Sequence, residues 1–122
     1  MTVDSANRDF LENWIVQARK GVLEMCVLAA LDREERYGYE LYKILQGIPG
    51  LTVTEGTLYP LLSRLRLQGL VGARLQESAE GPARKYYSLT ENGREILRLM
   101  MVQMDRLMKG VQELSETTES QR

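Results

Sequence analysis

The hydrophobic residues of this chain form five helical patterns, and the one at residues 54–70 organises the others. Its leucines recur at the i, i+3, i+4, i+7 spacing that buries one helical face: Leu58, Leu61, Leu62 and Leu65. Thr54 or Thr57 can cap the start of this helix, and Gly69 is placed to end it. The opposite face suits close approach to phosphates and base edges, although it equally fits a surface that meets water. That face holds Gly56, Thr57, Pro60, Ser63, Arg64 and Leu67.

Two helical patterns occupy the first 31 residues. Residues 4–18, which Asp4 or Ser5 can cap, carry one apolar stripe that includes Trp14. Trp14, the only tryptophan, either anchors the core or a subunit interface, or forms one wall of a ligand pocket. Gly21 is expected to break or bend the chain. Residues 22–31 are apolar on most sides, which predicts a central core helix.

A helix-turn-helix is predicted between this core helix and residue 70. A charged turn at residues 32–36 precedes a short helix that opens at Gly38 or Tyr39. Residues 46–53 contain two glycines and a proline and therefore predict a turn. Core helix, short helix, turn and amphipathic helix follow in the order of a helix-turn-helix with a long turn.

A β-hairpin is predicted after Gly69, where the apolar period changes from helical to alternating. Residues 70–78 and 83–89 are the two strands, and residues 79–82 are the turn. With Leu75 and Tyr87 inward, the other side of the hairpin carries Arg74, Gln76, Arg84 and Tyr86. A hairpin in this position is the wing of a winged helix-turn-helix.

A long final helix is predicted from residue 91, capped by Thr90, to about residue 114. Its apolar residues repeat at alternating spacings of three and four, as in a coiled-coil seam. A small domain cannot cover so long an apolar face, so pairing with a second copy is expected. The predicted seam is Leu97, Met100, Met104, Leu107, Val111 and Leu114, and Met101 and Met108 widen it.

Composition argues against an enzyme. The chain has 122 residues, no histidine and one cysteine, so it lacks the usual general base and any zinc constellation. We expect no metal and no cofactor. No apolar run approaches a membrane span and the start does not resemble a signal peptide, so a cytoplasmic protein is expected. The net charge is −1, but residues 62–87 hold five cations against two acids, which places a basic patch at the amphipathic helix and hairpin.

Several motifs together resemble the PadR family of bacterial transcriptional regulators. They are YGYEL at 37–41, GTLYPLLSRL at 56–65, QGLV at 68–71, RKYYSLT at 84–90 and the following Gly93. The resemblance covers roughly residues 20–114, and the single helix after the hairpin is similar to the shorter subfamily. It implies a homodimer that binds a palindromic operator in double-stranded DNA, usually as a repressor, with the helix at 54–70 in the major groove.

The resemblance also implies which residues face DNA. The candidates on the amphipathic helix are Thr54, Gly56, Thr57, Tyr59, Pro60, Ser63 and Arg64. The candidates for phosphate contact are Tyr37, Tyr39, Arg84 and Lys85. Tyr59 and Tyr87 could equally be packing residues, and Glu55 is better explained as a favourable charge at a helix N-terminus. Pro60 requires the helix either to start near Thr57 or to kink.

The predicted fold is therefore mainly α with a small β-hairpin: a winged helix-turn-helix with a long C-terminal dimerisation helix. We assign residues 1–19 to an N-terminal helical extension, 20–89 to the DNA-binding domain, 90–114 to the dimerisation helix and 115–122 to a disordered tail. A small aromatic or apolar effector, lodged near Trp14, Met101 and Met108, is expected to modulate DNA binding. The alternative is a dimeric ligand-binding or protein-interaction module that does not bind DNA.

Overall fold

The computed structural model describes residues 4–120 and contains four helices and one small sheet within that range. In chain order, the elements are α1 (Ser5–Ala30), β1 (Arg36–Tyr37), α2 (Gly38–Gln46), α3 (Glu55–Leu67), β2 (Val71–Ser78), β3 (Gly81–Leu89) and α4 (Glu91–Ser120). The three strands form one antiparallel sheet in the order β1-β3-β2. The predicted winged helix-turn-helix is confirmed. Within residues 4–120, no helix combines the length and hydropathy that crossing a membrane requires.

The predicted break at Gly21 is wrong, because α1 is one helix of 26 residues that continues through it. Asp4 caps α1 by accepting a hydrogen bond from the Asn7 backbone N–H at 2.9 Å. A glycine inside a helix costs only about 1 kcal/mol, which packing on both sides of it can offset. Residues 4–18 are therefore the first half of the core helix and do not form a separate one.

The starts of α3 and α4 follow the predicted caps. Thr54 Oγ1 accepts from the Thr57 N–H at 3.2 Å, so α3 begins at Glu55 and continues through Pro60. The alternative in which α3 starts near Thr57 is therefore wrong. Thr90 Oγ1 accepts from the Gly93 N–H at 2.9 Å and donates to the Gly69 carbonyl at 2.7 Å. Thr90 thus caps α4 and ties its start to the end of α3.

Gly69 ends α3 as predicted, with a φ of 77°. Its N–H bonds to the Arg66 carbonyl, and the Leu70 N–H bonds to the Leu65 carbonyl, both at 3.0 Å. This pair of hydrogen bonds is a Schellman cap, which requires one residue in the left-handed backbone conformation. Glycine adopts that conformation without a Cβ clash. The cap turns the chain directly into β2.

The hairpin turn is shorter than predicted, and the last helix is longer. Ser78 pairs with Gly81, so only Ala79 and Glu80 connect the strands. The predicted end of the last helix near residue 114 is six residues early, because α4 reaches Ser120. The residues assigned to a disordered tail are thus the last turns of α4 through Ser120 in this structure, and residues 121 and 122 lie outside the described range.

One core holds the domain together, and leucines from α1, α2 and α3 supply most of it. Its fully buried members are Val27, Leu28, Leu41, Leu58 and Leu62, each 0 % exposed. Leu51 and Val53 in the α2–α3 connection are buried with them, which anchors the turn to the core. Tyr87 from β3 and Leu97 from α4 complete the cluster.

The start of α4 can accept only glycine at position 93. A Cβ built on Gly93 would lie 2.0 Å from the Leu70 carbonyl oxygen and 2.6 Å from Leu89 Cδ1. We expect Gly93→Ala to lower the free energy of unfolding by about 1–3 kcal/mol, because backbone must move to admit the methyl group. Urea denaturation at constant protein concentration measures this change.

Gly110→Ala is the matched control for that substitution on the same helix. A Cβ at Gly110 meets nothing within 4 Å. We therefore expect alanine there to be neutral or to stabilise by up to about 1 kcal/mol through its higher helix propensity. Equal destabilisation by both substitutions would contradict the close approach of Leu70 to α4.

Candidate nucleic-acid interface

The outward face of α3 is the exposed surface that its leucine spacing predicts. Leu58, Leu61, Leu62 and Leu65 are buried, and the polar positions opposite them are open to solvent. The exposed candidates are Thr54, Gly56, Thr57, Pro60, Ser63 and Arg64. Leu67 is 90 % exposed at the end of the same face. Small side chains along this surface allow the backbone of α3 to approach a partner closely.

Arg64 is held by an acid from a different helix. Its Nη2 donates to Oε1 of Glu24 on α1, 40 residues earlier in the chain. Both residues line a groove between α1 and α3 that also includes Lys20, Thr57 and Pro60. Sequence analysis missed Glu24 and Lys20, because nothing in their local pattern says which face of α1 meets α3.

A second shallow cavity brings together five of the predicted contact residues from four different elements. It is lined by Tyr37, Tyr39, Tyr59, Arg84 and Lys85, together with Gly38 and Tyr87. The start of α2, the first turns of α3 and the hairpin therefore meet at one place. A Cβ on Gly38 would lie 2.7 Å from Cε1 of Tyr59, so the glycine permits this close approach.

The hairpin's outer face carries a row of stacked cations and rings. Tyr86 pairs with Arg74 on β2 and with Tyr37 on β1, so the three side chains share one side of the sheet. The Arg74 guanidinium lies 5.0 Å from the Tyr86 ring centre, and that of Arg84 lies 4.7 Å from the Tyr37 ring centre. The Tyr37 and Tyr86 rings meet edge-on at 5.8 Å. These are ordinary cation–π and T-shaped distances.

The predicted side of the hairpin is confirmed for its polar residues but wrong for Leu75. Arg74, Gln76, Arg84 and Tyr86 share a face in the observed register. Leu75 lies on the same side as the buried Tyr87 but is 70 % exposed. Leu75 pairs with Lys85 toward the hairpin turn and does not belong to the core cluster of the described residues.

Arg74 is engaged by Glu35, in the segment between α1 and β1. Its Nε donates to Glu35 Oε2 at 2.9 Å, and its Nη2 donates to the other carboxylate oxygen. These hydrogen bonds hold the pKa of the Glu35 carboxyl below its ordinary value and raise the pKa of Arg74. The pair ties the hairpin to β1 across the sheet.

The predicted dimerisation residues divide into buried and exposed sets. The prediction that Leu97 belongs to the dimerisation seam is wrong. Leu97 is only 5 % exposed and lies in the protomer's own core, because the start of α4 packs on the sheet and on α1. Met100 and Met104 are partly buried and line an apolar groove with Gly21 and Met25 of α1. Leu107, Val111 and Leu114 are exposed.

The three candidate effector residues do not lie together in the protomer. Trp14 lines a groove between α1 and the α2–α3 connection, beside Ile48 and Pro49. Met101 and Met108 are exposed on α4, and neither lines that groove or the one that contains Met104. The sequence could not separate these surfaces, because their separation depends on how α1 packs against α4.

Comparisons with known proteins agree with this architecture. The model of a family described as the transcriptional regulator PadR-like family matches residues 27–99. The transcriptional regulator YqjI of Escherichia coli K12 is 33 % identical over 79 residues, which cover 63 % of this chain. The match spans only 36 % of the length of that curated relative.

Two solved structures of transcriptional regulators are similar to this chain in fold. A PadR family transcriptional regulator from Eggerthella lenta has a TM-score of 0.80 and 39 % identity, covering 93 % of this chain and 99 % of that one. Bacillus subtilis PadR, solved in complex with operator DNA, has a TM-score of 0.60 and 24 % identity. The second match covers 66 % of this chain and 46 % of that one, and it supports the fold alone.

Two tyrosines in the candidate interface predict that the protein is less stable at alkaline pH. Burial raises the pKa of Tyr59, with smaller contributions from Glu55 and Tyr87, and burial also raises the pKa of Tyr87. The native state therefore favours the neutral phenols. Their contribution to stability is full below the unfolded-state pKa of about 10 and is lost as pH rises through the higher folded-state values.

We expect the free energy of unfolding to fall as the pH is raised from 9 to 11.5. The fall should be shallower in the double variant Tyr59→Phe/Tyr87→Phe, which has no phenol to ionise at either position. Urea unfolding at each pH measures both slopes. An equally steep fall in the two proteins would show that these tyrosines are not responsible.

Proposed function

Because this chain belongs to the PadR-like family of transcriptional regulators, we propose that it is a sequence-specific DNA-binding repressor. The family comprises regulators and not enzymes. In our proposal the protein acts in the cytoplasm as a homodimer on a palindromic operator. An apolar small molecule releases it or modulates its affinity.

The observation that carries this proposal is the placement of two surfaces side by side. The exposed face of α3 offers hydroxyl, backbone and guanidinium groups at Thr54, Thr57, Ser63 and Arg64. Tyr59 links that face to the cavity that also contains Arg84 and Lys85 of the hairpin. A helix in the major groove with cations against the neighbouring backbone uses both surfaces at once.

The homodimer is supported by apolar area that the protomer leaves uncovered. Phe10 is 76 % exposed and Trp14 is 59 % exposed on α1, and Leu107 and Val111 are exposed on α4. So many large apolar side chains on two long helices are typical of an interface. A second copy would cover them, and binding to two half-sites one DNA turn apart would require the two α3 helices to lie about 34 Å from each other.

The effector proposal rests on the two apolar grooves beside α1. One is lined by Trp14 and Val22 with the α2–α3 connection, and the other by Met25, Met100 and Met104. Methionine side chains adapt to irregular ligands. A ligand that binds better to one spacing of the two protomers shifts the dimer toward that spacing and so changes its fit to DNA.

Direct DNA binding tests the proposal. We expect fluorescence anisotropy with a labelled random duplex to show binding at 50 mM salt that weakens steeply by 200 mM. Each phosphate contact contributes about 0.9 to the slope of log affinity against log salt. Arg64→Ala and Arg84→Ala should each weaken binding, whereas Lys109→Ala on the distal part of α4 should leave the affinity unchanged.

Two results would count against this assignment. Unchanged affinity in both arginine variants would refute the assigned face. Absence of any binding by the wild-type protein at low salt would favour a dimeric ligand-binding or protein-interaction module. A duplex selected from a random pool would identify the operator.

The dimer proposal has its own test. Leu107→Asp/Val111→Asp places two charges on the exposed apolar face of α4. We expect the dimer Kd from sedimentation velocity to rise by about 30-fold or more, the effect of losing roughly 2 kcal/mol at an interface core. Gln112→Asp, an exposed neighbour outside the apolar stripe, is the control. A monomeric wild-type protein would contradict the proposal.

A further inference from the structure

The contact between Glu24 and Arg64 lies on the surface that the proposed function assigns to DNA. Arg64 is the one lysine or arginine between Thr54 and position 64 on the exposed face of α3. Glu24 comes from α1, outside the stretch that matches the family. An acid beside the interface opposes phosphate binding, so its position there calls for a physical explanation.

The surroundings of the pair keep Arg64 within reach of a partner. The Arg64 side chain is 55 % exposed, and that of Glu24 is 35 % exposed. The groove that contains them also holds Pro60 and Thr57, which lie one and two turns before Arg64 on the same face of α3. Lys20 lies in the same groove, but its Nζ donates to Gln17 Oε1 at 3.3 Å.

The chemistry of a guanidinium explains what such a contact can do. Arginine has five N–H donors in a rigid fork, and the contact with Glu24 uses Nη2. Donors on Nε and Nη1 stay available for a base edge, such as the O6 and N7 acceptors of guanine. The carboxylate meanwhile offsets the positive charge, so a phosphate gains less from contacting the same side chain.

We propose that Glu24 is a positioning residue that holds Arg64 for base contacts and limits its use as a phosphate contact. Glu24 thereby contributes sequence specificity to α3 without touching DNA itself. The inference rests on the proposed DNA-binding function. It assigns to α1 a part in recognition in addition to its part in the core.

The experiment compares two duplexes across a salt titration. One duplex is selected by the wild-type protein from a random pool, and the other is a scrambled duplex of the same composition. For Glu24→Gln we expect the salt slope on the scrambled duplex to steepen by part of the roughly 0.9 that one full phosphate contact contributes, because Glu24 limits but does not abolish the contact of Arg64 with phosphate. The affinity ratio of selected to scrambled duplex should fall by about fivefold or more, the value of one well-placed base contact.

Further variants separate positioning from simple charge. Glu12→Gln removes the same charge from an exposed site on the first half of α1 and should leave both quantities near wild type. In an Arg64→Ala background, Glu24→Gln should change neither the slope nor the ratio. Glu24→Asp keeps the charge but shortens the side chain, and it should lower the ratio while leaving the slope near wild type.

Each outcome bears on the inference. The inference would be overturned if Glu24→Gln and Glu12→Gln changed the salt slope and the affinity ratio equally. It would also be overturned if Glu24→Gln changed them as much in the Arg64→Ala background as in the wild type. Wild-type protein that binds neither duplex at low salt would overturn the proposed function and this inference with it. Specific binding by the wild type with no change in Glu24→Gln would overturn this inference alone.

Discussion

Burial of the leucine face of α3 is the contact on which the candidate interface depends. Leu58 and Leu62 are completely buried in the core cluster that also contains leucines of α1 and α2, and each such side chain contributes about 1.5–3 kcal/mol relative to exposure. A helix packed this way cannot rotate about its axis without exposing a leucine. The residues on its other side, from Thr54 to Arg64, are therefore presented outward in one fixed orientation.

The cations around this helix are organised by specific partners and do not form a free basic patch. Arg64 contacts Glu24, Arg74 contacts Glu35, and Arg84 stacks over Tyr37. Exposed ion pairs add little to the free energy of folding, so stability alone does not account for this arrangement. These contacts instead orient the side chains: each of the three guanidinium groups is held toward its neighbour within the protein before DNA binds. This explains how a chain of net charge −1 can offer an ordered cationic surface.

Two small features connect the hairpin to the helices. The Thr90 hydroxyl bonds to both Gly69 and Gly93, which joins the end of α3, the end of β3 and the start of α4. The two-residue strand β1 joins the sheet edge directly before α2 and brings Tyr37 beside Tyr86. These hydrogen bonds and packed rings fix the positions of the hairpin, the end of α3 and the start of α4 relative to one another.

The sequence by itself determined most of the elements and their buried faces, although not the strand β1, because helical spacing, capping residues and strand alternation are local properties. It placed the leucines of α3 inward, the cap of α4 at Thr90 and the polar face of the hairpin, and it narrowed the cap of α3 to Thr54 or Thr57. Only the tertiary structure decided which surfaces meet. The continuity of α1 through Gly21, the burial of Leu97, the exposure of Leu75 and the contact of Glu24 with Arg64 all depend on packing between elements distant in sequence. Local patterns cannot encode these contacts, because the same amphipathic helix fits more than one neighbour until the whole core is assembled.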